Sequence, residues 1–228
     1  MSSNRYVLLF SSGRTSAFLT RYFLTSRGFN EKIGVYRNSG KPNYFKHRNK
    51  NGDEAIVLMM NTGREMKQSL LFAKKCNQAW DLGMVYLEAS INKEKGKRTT
   101  HVFKKWHQLS RRGEPFEAML KKYPLPNNKA SNCTRELKLR PKDSFLRDIG
   151  WTDAITVVGI RADEAHRKSN NAVEERIIYP LCDEIKVDSK FIRSWWDRQP
   201  FDLELKDYEG NCDLCFKKSL KKRLTIVK

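Results

Sequence analysis

Five apolar residues in a row, Tyr6-Val-Leu-Leu-Phe10, run directly into the small polar stretch Ser11-Ser-Gly-Arg-Thr-Ser16, and from Ala17 to Arg27 the composition is helical. A short apolar run bounded by turn residues reads as a buried strand, so the segment is strand, tight loop, helix. The same logic returns further on. Ala55-Ile-Val-Leu-Met-Met60 is apolar, Asn61-Thr-Gly-Arg64 turns, and Glu65 to Trp80 carries Met66, Leu70, Ala73 and Asn77 at near-helical spacing. Met84 to Glu88 supplies a third strand, and Ala154 to Val158 a fourth that runs into Gly159-Ile-Arg-Ala-Asp-Glu164. Strands alternating with helices predict an α/β chain, a Rossmann-like parallel sheet with helices on both faces. Ile177 to Leu181 then leads into a helix from Val187 to Arg198 that stops before Pro200, and its Phe191, Ile192, Trp195 and Trp196 read as core.

The length of 228 residues, 39% of them hydrophobic, suits one sizeable domain or one domain with an appendage. The expected division is an α/β domain over 1–182 and a helical, basic, cysteine-containing segment over 183–228. Two insertions, 38–53 and 90–115, exceed the usual ~2–6 residues of a βα connection and are expected to be binding loops or disordered. The apolar runs fall far short of the ~20 residues of a membrane span, and no apolar leader stands at the N-terminus, so a cytoplasmic protein is expected. Subtracting 26 acidic from 45 basic side chains gives +19, which points to a polyanion and first to nucleic acid. Lys93, Lys95, Lys97, Arg98, Lys104, Lys105, Arg111 and Arg112 surround Trp106 and His107, a mixture suited to phosphate contact with base stacking. The tail adds Lys217, Lys218, Lys221, Lys222, Arg223 and Lys228. A plain solvated face is the competing reading of such charge runs.

The loop of Ser11, Ser12, Gly13, Arg14, Thr15 and Ser16 carries the clearest chemistry. Small residues let backbone N–H groups approach a phosphate at a helix N-terminus, the serine hydroxyls can donate, and Arg14 adds a planar fork. An ordinary strand–helix turn with Ser and Thr caps is the alternative. Gly-Lys-Ser/Thr is missing, so this is no Walker motif. Five cysteines without a secretion signal argue against a disulfide framework, and Cys212-Asp-Leu-Cys215 has a metal-ligand gap but supplies only half a site. A redox or structural Cys-x-x-Cys is the competing reading. Cys76 reads as a core residue; His47, His101, His107 and His166 share no metal-ligand spacing, and most of them read as surface residues.

At the phosphate loop the chain resembles the PP-loop ATP pyrophosphatases, whose signature is Ser-Gly-Gly-x-Asp-Ser, and within them the phosphoadenosine phosphosulfate reductase-like enzymes. Ser11, Gly13 and Ser16 match; Ser12 stands where the signature has its first glycine and Thr15 where it has aspartate. Further matches, similar to compact bacteriophage members, are Asn61 to Glu65, Asn132 to Lys138, Gly159 to Glu164, Tyr179-Pro-Leu181 and Gly210 to Phe216. The resemblance implies an adenine nucleotide alpha hydrolase-like fold with ATP or a related nucleotide at the carboxyl ends of the strands. It implies that Asn61, Thr62, Gly63 and Gly159 line the nucleotide, that Arg14, Ser16 and Arg161 stabilise departing phosphate with Mg2+, and that Asp163 holds a metal or orients a nucleophile. It also suggests a metal site of Cys133, Cys212 and Cys215, with Cys182 in reserve, holding a [4Fe–4S] cluster or zinc. Three functions follow as expectations: ATP-dependent sulfur or group transfer to a nucleic acid, sulfonucleotide reduction, or nucleic-acid or nucleotide binding without turnover. A homodimer and a host-cytoplasm location for a phage-encoded chain complete the expectations.

Overall fold

The computed structural model describes residues 3–37, 41–94, 96–127, 129–206, 209, 210, 212 and 215–227. Of the residues singled out in the sequence, Asn38, Lys95, Asn211, Asp213, Leu214 and Lys228 lie outside that set. In chain order the elements are β1 (Arg5–Leu9), α1 (Arg14–Ser26), β2 (Phe29–Val35), β3 (Tyr44–Asn49), β4 (Glu54–Asn61), α2 (Lys67–Ala79), β5 (Val85–Ser90), β6 (Thr100–Lys104), α3 (Glu114–Leu120), α4 (Asn132–Thr134), α5 (Arg140–Asp148), β7 (Ile155–Val157), β8 (Ile177–Ile178), α6 (Pro180–Asp183), α7 (Ser189–Trp196) and α8 (Leu220–Val227). The chain forms two compact units. The first comprises Met1–Met59, Ala73–Val85 and Asp153–Leu203; the second comprises Met60–Phe72, Tyr86–Thr152 and Glu204–Lys228.

In the first unit, β1 lies between β4 and β7 and is parallel to both, with Val7 opposite Ile56 and Thr156. Val7, Leu8, Ile56, Val57, Leu58 and Val157 are fully buried, which is why these strands read as unbroken apolar runs rather than alternating ones. β8 continues the parallel set beside β7. On the other side the sheet is antiparallel: β2 pairs β3 and β3 pairs β4, giving the order β2-β3-β4-β1-β7-β8. The expectation that 38–53 is a loop or disordered is therefore corrected, because Tyr44–Asn49 is a strand.

That strand is hard to read because its buried face is polar. His47 is 6% exposed and its Nε2 sits 2.8 Å from the Leu82 carbonyl. Asn49 donates from Nδ2 to the Arg27 carbonyl and the Asp53 carboxylate and accepts the Asn51 and Asp53 N–H groups on Oδ1. Buried polar groups are tolerated when bonded in this way. His47 is thus a core residue, an exception to the expectation that most of the histidines lie at the surface, and burial lowers its pKa.

Helix α1 buries Ala17, Phe18, Leu19, Phe23 and Leu24 on one face, at the i, i+3, i+4 spacing of an amphipathic helix. It ends where Gly28 adopts φ +66 and donates its N–H to the Thr25 carbonyl. Helix α7 starts at Asp188, whose carboxylate accepts the Phe191 N–H at 2.8 Å. Trp80, Trp195, Trp196 and Phe201 then stack edge-on or tilted at centroid distances of 4.8–6.3 Å. Trp196 is 1% exposed, as expected for a core residue.

In the second unit β5 and β6 pair antiparallel, from Tyr86 opposite Lys104 to Ser90 opposite Thr100. Thr100–Lys104 within the 90–115 stretch is therefore a strand where a loop or disorder was expected, a second correction. Three carbonyls of that stretch, those of Asn92, Glu94 and Lys97, accept hydrogen bonds from Lys122 Nζ at 2.8–2.9 Å. Phe145 of α5 is fully buried against Phe103 and His101 of β6. Between α4 and α5 the helix widens to π geometry over Arg135–Leu139 and carries the fully buried Glu136. Glu136 takes hydrogen bonds from Thr99, Arg135 and Arg140. Burial raises its pKa, but the Thr99 and Arg135 bonds and the Arg140 charge outweigh it and hold the carboxyl below its usual range.

Candidate functional site

The first unit carries the phosphate-loop candidate. Phe10 ends the β1 run with its N–H on the Leu58 carbonyl, and the chain then folds over the start of α1. Ser16 Oγ is the hub of the loop. It accepts the Ser11 N–H at 3.1 Å and the Ser11 hydroxyl at 3.0 Å, and it donates to the Gly13 carbonyl at 3.0 Å. Gly13 is the N-cap and supplies no side-chain cap, so the first N–H groups of a 13-residue helix keep their donor capacity. Together with the helix dipole this makes an anion-binding terminus.

Ser12 adopts φ +60, the left-handed region that glycine enters freely, and its hydroxyl is turned inward to Met59 Sδ at 3.5 Å with the residue 2% exposed. The glycine in the family signature is thus explained by backbone geometry. The expected Ser12 donation to phosphate differs from this orientation. Arg14 also differs from expectation: its Nε and Nη2 donate to the Asp202 carboxylate at 2.7 and 2.6 Å, and Nη2 also reaches the Leu203 carbonyl at 2.7 Å. The Trp196 indole N–H holds the Arg14 carbonyl at 3.0 Å. Both contacts anchor the helix start.

Arg161 comes to the same loop. Its Nη1 donates to Thr15 Oγ1 at 3.0 Å, while Nε and Nη2 grip Asp163 at 2.9 and 3.2 Å, and Glu164 lies 3.3 Å away. The Arg161 bond keeps the Asp163 carboxyl below its usual range. Gly159 packs so closely that a Cβ there would sit 3.4 Å from Ser16 Cα. Ser11, Gly13, Thr15, Ser16, Gly159 and Arg161 are thus gathered in one place. Asp163 and Glu164 are already occupied by guanidinium groups, Glu164 by Arg167 as well, and this donor set does not fit a divalent cation.

The second unit carries the turn after β4. Asn61 is fully buried and donates to Glu88 Oε1 at 2.5 Å and to the Ser110 carbonyl at 2.9 Å. Glu88 also takes the Ser110 N–H at 2.6 Å and the Ser110 hydroxyl at 2.8 Å. Thr62 and Glu65 close a turn, the Glu65 carboxylate accepting the Thr62 N–H at 3.0 Å and hydroxyl at 2.8 Å. Cys212 bridges to Glu65 through the backbone, and its Sγ lies 3.3 Å from Thr62 Oγ1. Burial, then the Glu65 charge, push its thiol up to about 11. Gly63 has φ +80 and touches Gly113 and Pro115.

Among the described residues no three His, Cys, Asp or Glu side chains form a group that could hold a metal, so the expected site of Cys133, Cys212 and Cys215 is not assembled. Cys182 belongs to the first unit, where burial, then the Asp183 charge, raise its pKa. Cys76 is fully buried, as expected.

Of the expected polyanion contacts, Lys104 lies 3.7 Å from Glu88, Lys105, Arg111 and Arg112 are exposed, and Arg111 stacks over the Trp106 ring at 4.7 Å. Lys217, Lys221 and Lys222 are exposed on or before α8 and Lys218 is half-buried. Sequence reasoning missed Asp202 and Glu88, and it had Trp196 only as a core residue and Glu65 only as the end of a family match. Glu65 carried a local signal for its role, since Thr62-x-x-Glu65 has the capping-box spacing.

A mixed sheet with a parallel centre, helices packed on it and a small-residue loop between β1 and α1 define the adenine nucleotide alpha hydrolase-like class. Residues 5–178 match the phosphoadenosine phosphosulfate reductase domain, and the chain belongs to that family. Over 221 residues it is 31% identical to an uncharacterized nin region protein, ORF290, of Escherichia phage lambda, an alignment covering 95% of this chain and 67% of that protein. Family membership assigns the chain to an enzyme superfamily whose members bind adenine nucleotides. No helix among the described residues is long and apolar enough to cross a membrane.

Proposed function

We propose that the chain binds ATP or a closely related adenine nucleotide with its phosphates at the start of α1 and uses it for group transfer to a nucleic acid. The observation that carries the reading is the Ser16 hub, which ties Ser11 and Gly13 into a fixed loop beneath an uncapped helix N-terminus. A loop fixed before the ligand arrives loses little freedom on binding. The backbone N–H groups take the phosphate oxygens, the Ser11 and Ser16 hydroxyls add donors, and Arg161 supplies the cation beside them. Arg14 is a positioning residue held by Asp202.

In the transfer, an acceptor oxygen attacks the α-phosphorus, the bond from that phosphorus to the bridging oxygen breaks, and pyrophosphate leaves carrying the electron pair. The helix terminus and Arg161 stabilise the charge that grows on it. A sulfur or other nucleophile can then displace AMP from the activated acceptor. The excess of basic side chains supports a polyanionic acceptor. Sulfonucleotide reduction is less well supported, because Cys212 is held as a thiol against Thr62 and Glu65.

Titration calorimetry with ATP, AMP and phosphoadenosine phosphosulfate tests the nucleotide, and pyrophosphate release in the presence of single-stranded oligonucleotide tests the transfer. Ser16→Ala and Arg161→Gln are expected to weaken nucleotide affinity at least ~10-fold. Unchanged affinity in both variants refutes the assignment.

A further inference from the structure

The positive charge is unevenly divided. The second unit holds 25 basic and 12 acidic side chains, a net +13, whereas the first holds 20 and 14, a net +6. Within the second unit the 105–112 segment is braced internally by the Lys105 N–H on Gln108 Oε1 at 3.0 Å and tied to its surroundings at two points. The Trp106 indole N–H meets the Leu70 carbonyl at 3.2 Å, and Ser110 is held by the buried carboxylate of Glu88. Leu109 is 4% exposed and anchors the middle.

What this rigid segment presents outward is cationic and flat. Arg111 and Arg112 are exposed, Lys105 beside them is exposed, and none forms an ion pair within 4 Å among the described residues. The Arg111 guanidinium lies 4.7 Å over the half-buried Trp106 ring. A solvated charge run needs no such support. A stacking ledge does, because an aromatic surface held in place gains contact with a base at little entropic cost.

We propose that the second unit binds single-stranded nucleic acid across the Trp106–Arg111 ledge, with Lys105 and Arg112 on the phosphates beside the stacked base. Single strands fit and duplexes do not, because only an unpaired base offers a face to the ring. This deepens the proposed function by naming the form of the acceptor, and it rests on that reading.

The test is fluorescence anisotropy with labelled 12-nucleotide oligodeoxythymidylate, oligouridylate and a matched DNA duplex, on the full chain across a salt series. Expected is single-strand binding whose logarithm falls linearly with the logarithm of salt, about 0.7 per neutralised phosphate. Trp106→Ala and Arg111→Gln should each weaken it roughly 5- to 100-fold. Trp106→Phe, which keeps a ring while dropping the Leu70 bond, should retain most of the affinity and separates stacking from folding. The two single strands distinguish DNA from RNA as the source of the bases. Duplex binding equal to single-strand binding, unchanged affinity in Trp106→Ala and Arg111→Gln, or binding to phosphatidylserine vesicles with none to oligonucleotide each overturns the proposal. Calorimetry with ATP on the same samples keeps the two readings apart: nucleotide bound with no oligonucleotide bound refutes the ledge alone, and no nucleotide bound refutes the function on which it rests.

Discussion

Replacing Ser12 by glycine should stabilise the protein. Ser12 sits at φ +60, where a residue with a Cβ is strained by about 1–2 kcal/mol. Against that gain stand two losses. Glycine's greater freedom in the unfolded chain takes back about 0.4–1 kcal/mol. The bond from the Ser12 hydroxyl to Met59 Sδ is long, at 3.5 Å, and sulfur is a weak acceptor. Its loss costs at most about 0.5 kcal/mol. The balance is a gain of about 0.5 kcal/mol, or ~1–2 °C in Tm for a chain of this size. Urea unfolding followed by circular dichroism reads it as a higher midpoint at unchanged slope. Ser12→Ala isolates the hydroxyl, since it keeps the strain, and should be slightly less stable than wild type. Ser12→Val adds a β-branch to the strained position and should lose more than ~1 kcal/mol. Nucleotide affinity should survive Ser12→Gly, because the hydroxyl faces Met59. A Ser12→Gly protein less stable than Ser12→Ala would refute the reasoning, as the strain would then not be what this position stores.

Glu136→Gln should destabilise by about 1–3 kcal/mol at neutral pH, because Arg135 and Arg140 lose the buried carboxylate they share while staying partly solvated. Since the folded carboxyl titrates below its usual range, its contribution is complete above the unfolded value near ~4.3 and disappears as pH falls through the lower folded value. The stability gap between wild type and Glu136→Gln should therefore shrink below about pH 4, measured by urea titration at each pH. Gly63→Ala combines φ +80 with a Cβ placed 3.0 Å from Pro115 Cδ and 3.1 Å from Gly113 Cα, so a loss of about 1–3 kcal/mol is expected in the same assay. At pH 8 the Cys212 thiol, raised to about 11, should react with iodoacetamide ~100-fold more slowly than an unperturbed cysteine, followed by peptide mass mapping. Fast alkylation of Cys212 would contradict its contact with Thr62 and Glu65.

The parallel centre of the sheet was legible because burial on both faces leaves an unbroken apolar run through the middle of β1 and β4, with Arg5, Glu54 and Asn61 only at the strand ends. Strand β3 was not, because His47 and Asn49 are buried on bonds to Leu82, Arg27 and Asp53 that no local pattern announces. Strand β6 fails in the same way, its Thr100-His-Val-Phe-Lys104 lying inside a stretch dominated by charge. The phosphate loop was legible as a location, from small residues between strand and helix. The use of each side chain in it was not. Arg14 is taken by Asp202, far along the chain, and the inward turn of the Ser12 hydroxyl depends on Met59. Spacing reports which residues are neighbours on one element, and a Cys-x-x-Cys becomes a site only when the fold delivers the remaining ligands, which spacing does not report.

The two sets of cations are organised on different principles. Arg14 and Arg161 at the phosphate loop each carry their own acids, Asp202 for one and Asp163 with Glu164 for the other, so the loop adds little net charge. Attraction there comes from oriented N–H groups, which are short-ranged and select a phosphate by geometry. Among the described residues Arg111 and Arg112 form no ion pair within 4 Å, they lie on a braced segment of the more basic unit, and such surface charge acts over a Debye length of about 8 Å at physiological salt. A small nucleotide gains most from the first arrangement and a polymer with many phosphates from the second. Nucleotide affinity should therefore be nearly flat in salt while oligonucleotide affinity falls steeply. A common salt slope for both ligands would mean that one cationic surface serves them both.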